Sequence, residues 1–258
     1  MEAPNPIAPA EPRQRWRLVY ARSESAPHLA QRDQQAAWEA GLRESGLPVV
    51  GQDLVPPRPR IAFAAPLGVG LAAERELADL FLAERLPVAV VREALEATLP
   101  DGHRLVELLD VWLGEPALPG QVVAADYRAE VRAGVEVTVA AMTDVAAAAS
   151  LADAALRLLQ EVTLPRTRDK GGQPVAYDLR PLLADISVIE AGGSPPNDAA
   201  RPPASGRDRI QLRIRVRYDP ERGVGRPEEV LTALAESAGL KLSLESLVRE
   251  RVVLAADH

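Results

Sequence analysis

The nine residues from Arg209 to Arg217 read Arg-Ile-Gln-Leu-Arg-Ile-Arg-Val-Arg, alternating polar and aliphatic side chains without a break. Successive side chains of a strand point to opposite faces, so this run predicts a strand with an apolar face and an arginine face. Arg209, Arg213, Arg215 and Arg217 share the second face with Gln211. Two other segments obey the same rule. In Arg15–Arg22, Trp16, Leu18 and Tyr20 oppose Arg15 and Arg17, and the middle strand from Val123 to Val131 carries Arg128, with Arg132 just beyond it. Such strands suit a sheet with helices on one face and the other face open.

Helical spacing from Pro27 to Ser45 ends at Gly46, and extended runs follow at Val49–Leu54, Arg60–Ala65 and Glu76–Leu82. Val88–Leu99 reads as a helix stopped by Pro100-Asp101-Gly102, and His103–Leu113 as a strand. After a loop holding Pro116, Pro119 and Gly120, strands are expected at Val123–Val131 and Val135–Ala140, then an Ala-rich helix at Val145–Glu161. Extended structure is expected at 162–168 and around Asp178-Leu179-Arg180-Pro181. Pro227–Ala238, with proline in its first turn, predicts a helix, and Leu247–Ala255 a last strand. The expectation is an α+β protein of two tandem ferredoxin-like halves, each β-α-β-β-α-β-like with an antiparallel sheet. The halves are placed at 14–114 and 122–258, after a disordered tail at 1–13. The Pro- and Gly-rich stretch at 191–206 is expected to be a flexible loop.

The 258-residue chain has no cysteine, which excludes disulfides, thiolate nucleophiles and cysteine-held iron–sulfur clusters within it. Three histidines, one of them terminal, leave little for a histidine metal site, and no metal or cofactor is expected. No apolar run approaches membrane-spanning length and the N-terminus lacks signal-peptide character, so a cytoplasmic protein is expected. The net charge of −7 argues against a globally basic nucleic-acid binder.

Against that overall charge, the arginine ladder is the leading candidate site. Arginines about 7 Å apart along a strand can each meet a phosphate, as on RNA-binding sheet faces. The plainer alternative is a solvated face with cross-strand pairs to Glu130 or Glu136. Arg166-Thr167-Arg168-Asp169-Lys170-Gly171-Gly172 is a second phosphate candidate, through Arg168, Lys170 and the glycine amides, or else an exposed turn. Gly68-Val69-Gly70-Leu71-Ala72-Ala73 fits the G-x-G-x-x-A fingerprint, but Pro66 precedes it and a tight turn fits better. His28 has no nucleophile or second histidine beside it. Asp178 and Asp185 would lie on opposite faces of one continuous strand, so no acid–base pair is indicated.

One stretch, Arg60-Ile61-Ala62-Phe63-Ala64-Ala65-Pro66-Leu67-Gly68-Val69-Gly70 followed by Glu74-Arg75-Glu76-Leu77-Ala78-Asp79-Leu80, resembles the radical SAM-linked protein family. Gly46-Leu47-Pro48, Leu99-Pro100-Asp101-Gly102, Asp178-Leu179-Arg180-Pro181 and Gly225-Arg226-Pro227-Glu228-Glu229-Val230-Leu231 match in the same order, from about residue 14 onward. The chain departs from the family pattern at Pro27-His28-Leu29-Ala30, which replaces Ser-His-Leu-Asp, and at Pro56-Pro57-Arg58-Pro59-Arg60, which replaces Asn-Pro-His-Pro-Lys. The family-motif residues carried over are His28, Arg58, Arg60, Pro66, Gly70, Asp178 and Arg180. The resemblance implies a non-catalytic accessory or substrate-presenting partner of a radical S-adenosylmethionine enzyme; RNA is the second candidate partner, from the arginine-lined sheet face and not from the resemblance. A stand-alone RNA-binding or RNA-processing protein is the alternative.

Overall fold

The computed structural model describes residues 10–134, 144–189 and 209–257, apart from the side chains of residues 144, 169 and 170. The expected strand at Val135–Ala140, the loop at 191–206 and most of the tail lie outside these residues. The chain divides into two units, which are treated separately: unit 1 is residues 10–122 with 254–257, and unit 2 is residues 123–253.

Unit 1 runs β1 (Gln14–Arg22), α1 (Gln31–Glu44), β2 (Ile61–Phe63), β3 (Ala72–Leu82), α2 (Val88–Glu96), β4 (His103–Val111) and the short α3 (Leu118–Gln121). Its strands lie in the order β2-β3-β1-β4, every neighbouring pair antiparallel. Trp16, Leu18 and Tyr20 of β1 and Ala78, Leu80 and Leu82 of β3 form one face, packed by Trp38 and Leu42 of α1 and Val91 and Leu95 of α2. Aromatic residues make up only 3 % of the chain, yet they concentrate here. The Tyr20 ring centroid lies 4.8 Å from that of Trp38 and 6.4 Å from that of Phe63, in edge-on contacts.

Unit 2 runs β5 (Val122–Gly134), α4 (Asp144–Gln160), β6 (Pro165–Lys170), β7 (Gln173–Asp178), β8 (Leu183–Ile189), β9 (Ile210–Asp219), β10 (Gly223–Val224), α5 (Pro227–Ala238) and β11 (Lys241–Leu254). Strands β8 and β10 both pair with β9, β9 pairs with β5, and β5 neighbours β11, while β6 and β7 form a separate hairpin. The aliphatic face of β9, Ile210, Leu212, Ile214 and Val216, is buried as the alternation requires. Ala147, Leu151, Ala154 and Leu158 of α4, and Val230, Leu231 and Leu234 of α5, join that interior. Helix α5 ends where Gly239 takes the left-handed conformation at φ 64°.

The protein is thus α+β, with mostly antiparallel sheets and five α-helices among the described residues. Several expectations are corrected locally. Helix α1 begins at Gln31 rather than Pro27, because the Pro27 carbonyl is held by the Arg22 guanidinium at 2.8 Å and the chain enters extended at Ala30. The strand expected at Val49–Leu54 is a single bridge from Val49 to Leu82. Beyond it Gly51, at φ +84°, turns the chain, and the Arg58 and Arg60 amides donate to the Gly51 and Val50 carbonyls at 2.8 Å. Strand β11 starts at Lys241, six residues before the expected Leu247. The pattern hid this start because Ser243, Glu245 and Ser246 interrupt the apolar run.

Candidate functional site

The expected open arginine face does not exist in unit 1. Arg15 is 2 % exposed and its carboxylate partner Asp79 is fully buried. Arg17 lies directly across from Asp79 in the β1–β3 register, and its Nε donates to that carboxylate at 2.9 Å. Arg15 also bonds Asp79 through Nε and Nη2. Arg15 then donates to the Glu115 and Pro116 carbonyls at 2.8 and 3.0 Å, and Arg17 pairs with the Glu115 carboxylate at 3.3 Å. The segment after β4 is therefore tied across these arginines, which removes both from the set able to meet a phosphate.

In unit 2 the arginines stay at the surface. Pairing of β9 with β5 sets Arg213 opposite Arg128, Arg215 opposite Asp126 and Arg217 opposite Ala124. On the other edge β8 sets Asp185 opposite Arg215 and Ser187 opposite Arg213. Two shared carboxylates organise the face. Asp126 accepts from Arg215 at 2.5 and 2.8 Å and from Arg251 at 2.8 Å. Glu250 meets Arg128 at 2.7 Å and Arg213 only at 4.0 Å. Burial pushes the Asp126 carboxyl up, but hydrogen bonds and charge from Arg215 and Arg251 outweigh it and hold the group below the ordinary aspartate range. Toward the ends, Arg209 pairs with Glu130 at 3.3 Å and Arg132 with Glu245 at 3.4 Å, while Arg217 donates to the Pro181 and Leu183 carbonyls.

The positive surplus therefore sits at two positions. Arg213 competes with Arg128 for one carboxylate and its side chain is 59 % exposed. Arg217 bonds only carbonyls and makes no ion pair among the described residues. The cross-strand partner Glu130 expected from the sequence is present, whereas Glu136 lies outside the described residues. Arg251 was missed because β11 lacks strict alternation.

The other candidates divide between scaffold and cavity. Residues 166–172 are mostly strand β6, closed by a hairpin turn in which Gly171 and Gly172 have φ of 65° and 83°. Arg168 there lies 5.2 Å from the Tyr177 ring centroid, and the Lys170 side chain lies outside the description. Asp178 accepts the amides of Leu164 and Arg180 at 2.7 and 2.9 Å. Arg180 donates to the Leu159, Glu161 and Leu183 carbonyls, joining the end of α4 to the start of β8. Arg58 is exposed, Arg60 lies 3.9 Å over the Phe81 ring, and Pro66 is exposed just past β2. Gly70, at φ +75°, is followed by strand β3 rather than a helix, so a dinucleotide has no helix N-terminus there.

Three of the family-like motifs nonetheless meet in unit 1. Pro27 and Leu29, before α1, and Leu99, Pro100 and Asp101, before β4, line one cavity of about 350 Å³ together with Arg22. Arg22 donates to the Gly68 and Leu71 carbonyls of the glycine turn, both at 3.4 Å, as well as to Pro27. The His28 ring packs against that turn, 3.3 Å from where a Gly70 side chain would begin. His103 also lines the cavity; burial lowers its pKa, helped by the positive charge of Arg22 and opposed by its contacts with the Asp101 and Pro100 backbone. Composition hid this site, since Arg22 and Gln34 belong to no recognisable catalytic pattern.

No curated protein matches the chain. Among solved structures, a Cbf5–Nop10–Gar1 complex is similar at 9 % identity and a TM-score of 0.43, covering 91 % of this chain and 49 % of that one. This chain thus spans about half the length of that relative. A protein from Galdieria sulphuraria described as unknown covers 93 % of this chain and 99 % of its own, at 13 % identity and a TM-score of 0.24. Neither score is high enough to carry a functional argument. The family model matching residues 15–216 is decisive: the chain belongs to the family described as an uncharacterized protein conserved in bacteria, DUF2344.

Proposed function

We propose that this protein is a non-catalytic accessory or substrate-presenting partner of a radical S-adenosylmethionine enzyme in the cytoplasm, and that it holds RNA on the arginine face of unit 2. The observation that carries the RNA half is the surplus charge at Arg213 and Arg217, on a chain whose net charge is −7. The two lie four residues apart on one strand face, about 13 Å, a spacing that suits phosphates along one backbone. The strand orders β2-β3-β1-β4 and β8-β9-β5-β11 support two ferredoxin-like halves, of which unit 2 keeps its arginine face at the surface.

The radical SAM half rests on the family-like order of motifs, and it suits a chain that supplies no thiolate for an iron–sulfur cluster. A tagged pull-down from the native host tests it. A radical SAM protein recovered in near-equal amount supports the partnership. Recovery of the protein alone at physiological salt removes the partnership and leaves stand-alone RNA binding as the function.

A further inference from the structure

The unit 1 cavity holds two buried polar groups that the fold does not fully use. Arg22 is 2 % exposed, and its guanidinium donates only to main-chain carbonyls, two of them at 3.4 Å. Among the described residues no carboxylate lies within ion-pair distance of it. Burying a cation without a counter-charge is costly, and the neighbouring Asp79 network shows how this chain neutralises other buried arginines. Gln34, on α1, is 9 % exposed and lines the same cavity, and its side-chain amide makes no hydrogen bond among the described residues. Its amide atoms are not sealed off from the cavity, so they are available to a group that enters it.

Around these two groups the wall is aliphatic, formed by Leu29, Ala37, Ala40 and Leu99. Gly41 lets the α1 backbone come against the Thr98 carbonyl, where any side chain would collide, and so closes one side. Glu44 and Asp101 stand at the same cavity as exposed carboxylates. The volume of about 350 Å³ falls within the range of small-molecule sites.

We infer that this cavity binds a small organic monoanion, an aliphatic carboxylate, whose head group takes hydrogen bonds from the Gln34 amide and counter-charge from Arg22. A neutral ligand would leave Arg22 uncompensated. A multiply charged one would meet Glu44 and Asp101, so the single charge and the aliphatic body follow together. This site is independent of the arginine face in unit 2.

Titration of the full chain with hexanoate, followed by amide NMR, tests the assignment, with hexanamide as the neutral control. Hexanoate is expected to shift resonances of Gln34, Gly41, Thr98 and Asp101 at least tenfold more tightly than hexanamide. Gln34→Leu is expected to weaken hexanoate at least fivefold, and Arg213→Glu to leave it unchanged. Arg22→Met should abolish binding, but it also removes the clamp on Gly68, Leu71 and Pro27, so Gln34→Leu is the deciding variant. Equal binding of hexanamide, undiminished binding by Gln34→Leu, or no shift at these residues up to 50 mM hexanoate overturns the inference.

Discussion

Strands β1 and β9 carry the same Arg-x-Arg alternation and put it to opposite uses. In β1 the two guanidiniums converge on one fully buried carboxylate, and the segment after β4 is tied over them. In β9 the guanidiniums reach solvent and share partly buried carboxylates from β5 and β11, and Arg213 is left with the weaker share. Alternation decides which face a side chain takes; it does not decide what covers that face. The cover comes from residues far along the chain, Asp79 being 64 positions from Arg15 and Glu115 being 100.

The strongest way to break this contrast is Asp79→Ala. It strands Arg15 and Arg17 in the interior, and a loss of about 3–5 kcal/mol is expected in urea unfolding, the cost of leaving a buried charge unpaired. A loss below about 1 kcal/mol would mean that water reaches the cluster and the contrast is false. Asp126→Asn, the equivalent cut in unit 2, is expected to cost less, about 1–2 kcal/mol, because its arginines reach solvent.

Acidity sharpens the same comparison. The Asp126 carboxyl lies below its ordinary range in the fold, so its contribution is complete above the unfolded aspartate pKa near 4 and is lost as pH falls through the lower folded value. His103 acts nearer neutrality. Its folded pKa lies below the unfolded value of about 6.5, so the unfolded chain takes the proton first and stability falls as pH drops below that value. His103→Gln should flatten the stability–pH slope between about pH 5 and 7. An unchanged slope would show that this imidazole is protonated without penalty. The smallest effect is expected from Arg75→Ala, which removes a pair with Glu107 exposed on both sides, at under about 0.5 kcal/mol.

Much of the architecture was legible in local pattern. Helix α5 matches its expected span from Pro227 to Ala238, β1, β4 and β9 fall within two residues of theirs, and α2 starts as expected at Val88 but stops at Glu96, three residues early. Proline, glycine and strict alternation mark those boundaries locally. What failed was set by distant partners. Arg15 and Arg17 look identical in sequence to a solvated ladder, and only strand pairing delivers Asp79 to them. Val49–Leu54 has strand composition, yet Gly51 and the returning Arg58 make it a turn. The unit 1 cavity was half legible: its motif segments were singled out, but Gln34 sits unremarkably within α1.

The central claim is that the β9 arginines of unit 2 are offered to RNA while Arg15 and Arg17 of β1 are spent on the fold, and RNA affinity as a function of salt tests it most directly. The full chain should bind RNA with a clear negative slope of log affinity against log salt. Arg213→Ala with Arg217→Ala should reduce that slope by about 1.4 for a single strand, two phosphate contacts at about 0.7 each, while unfolding stability moves by less than about 0.5 kcal/mol. Salt-independent binding, or a slope unchanged in the double variant, would contradict the account.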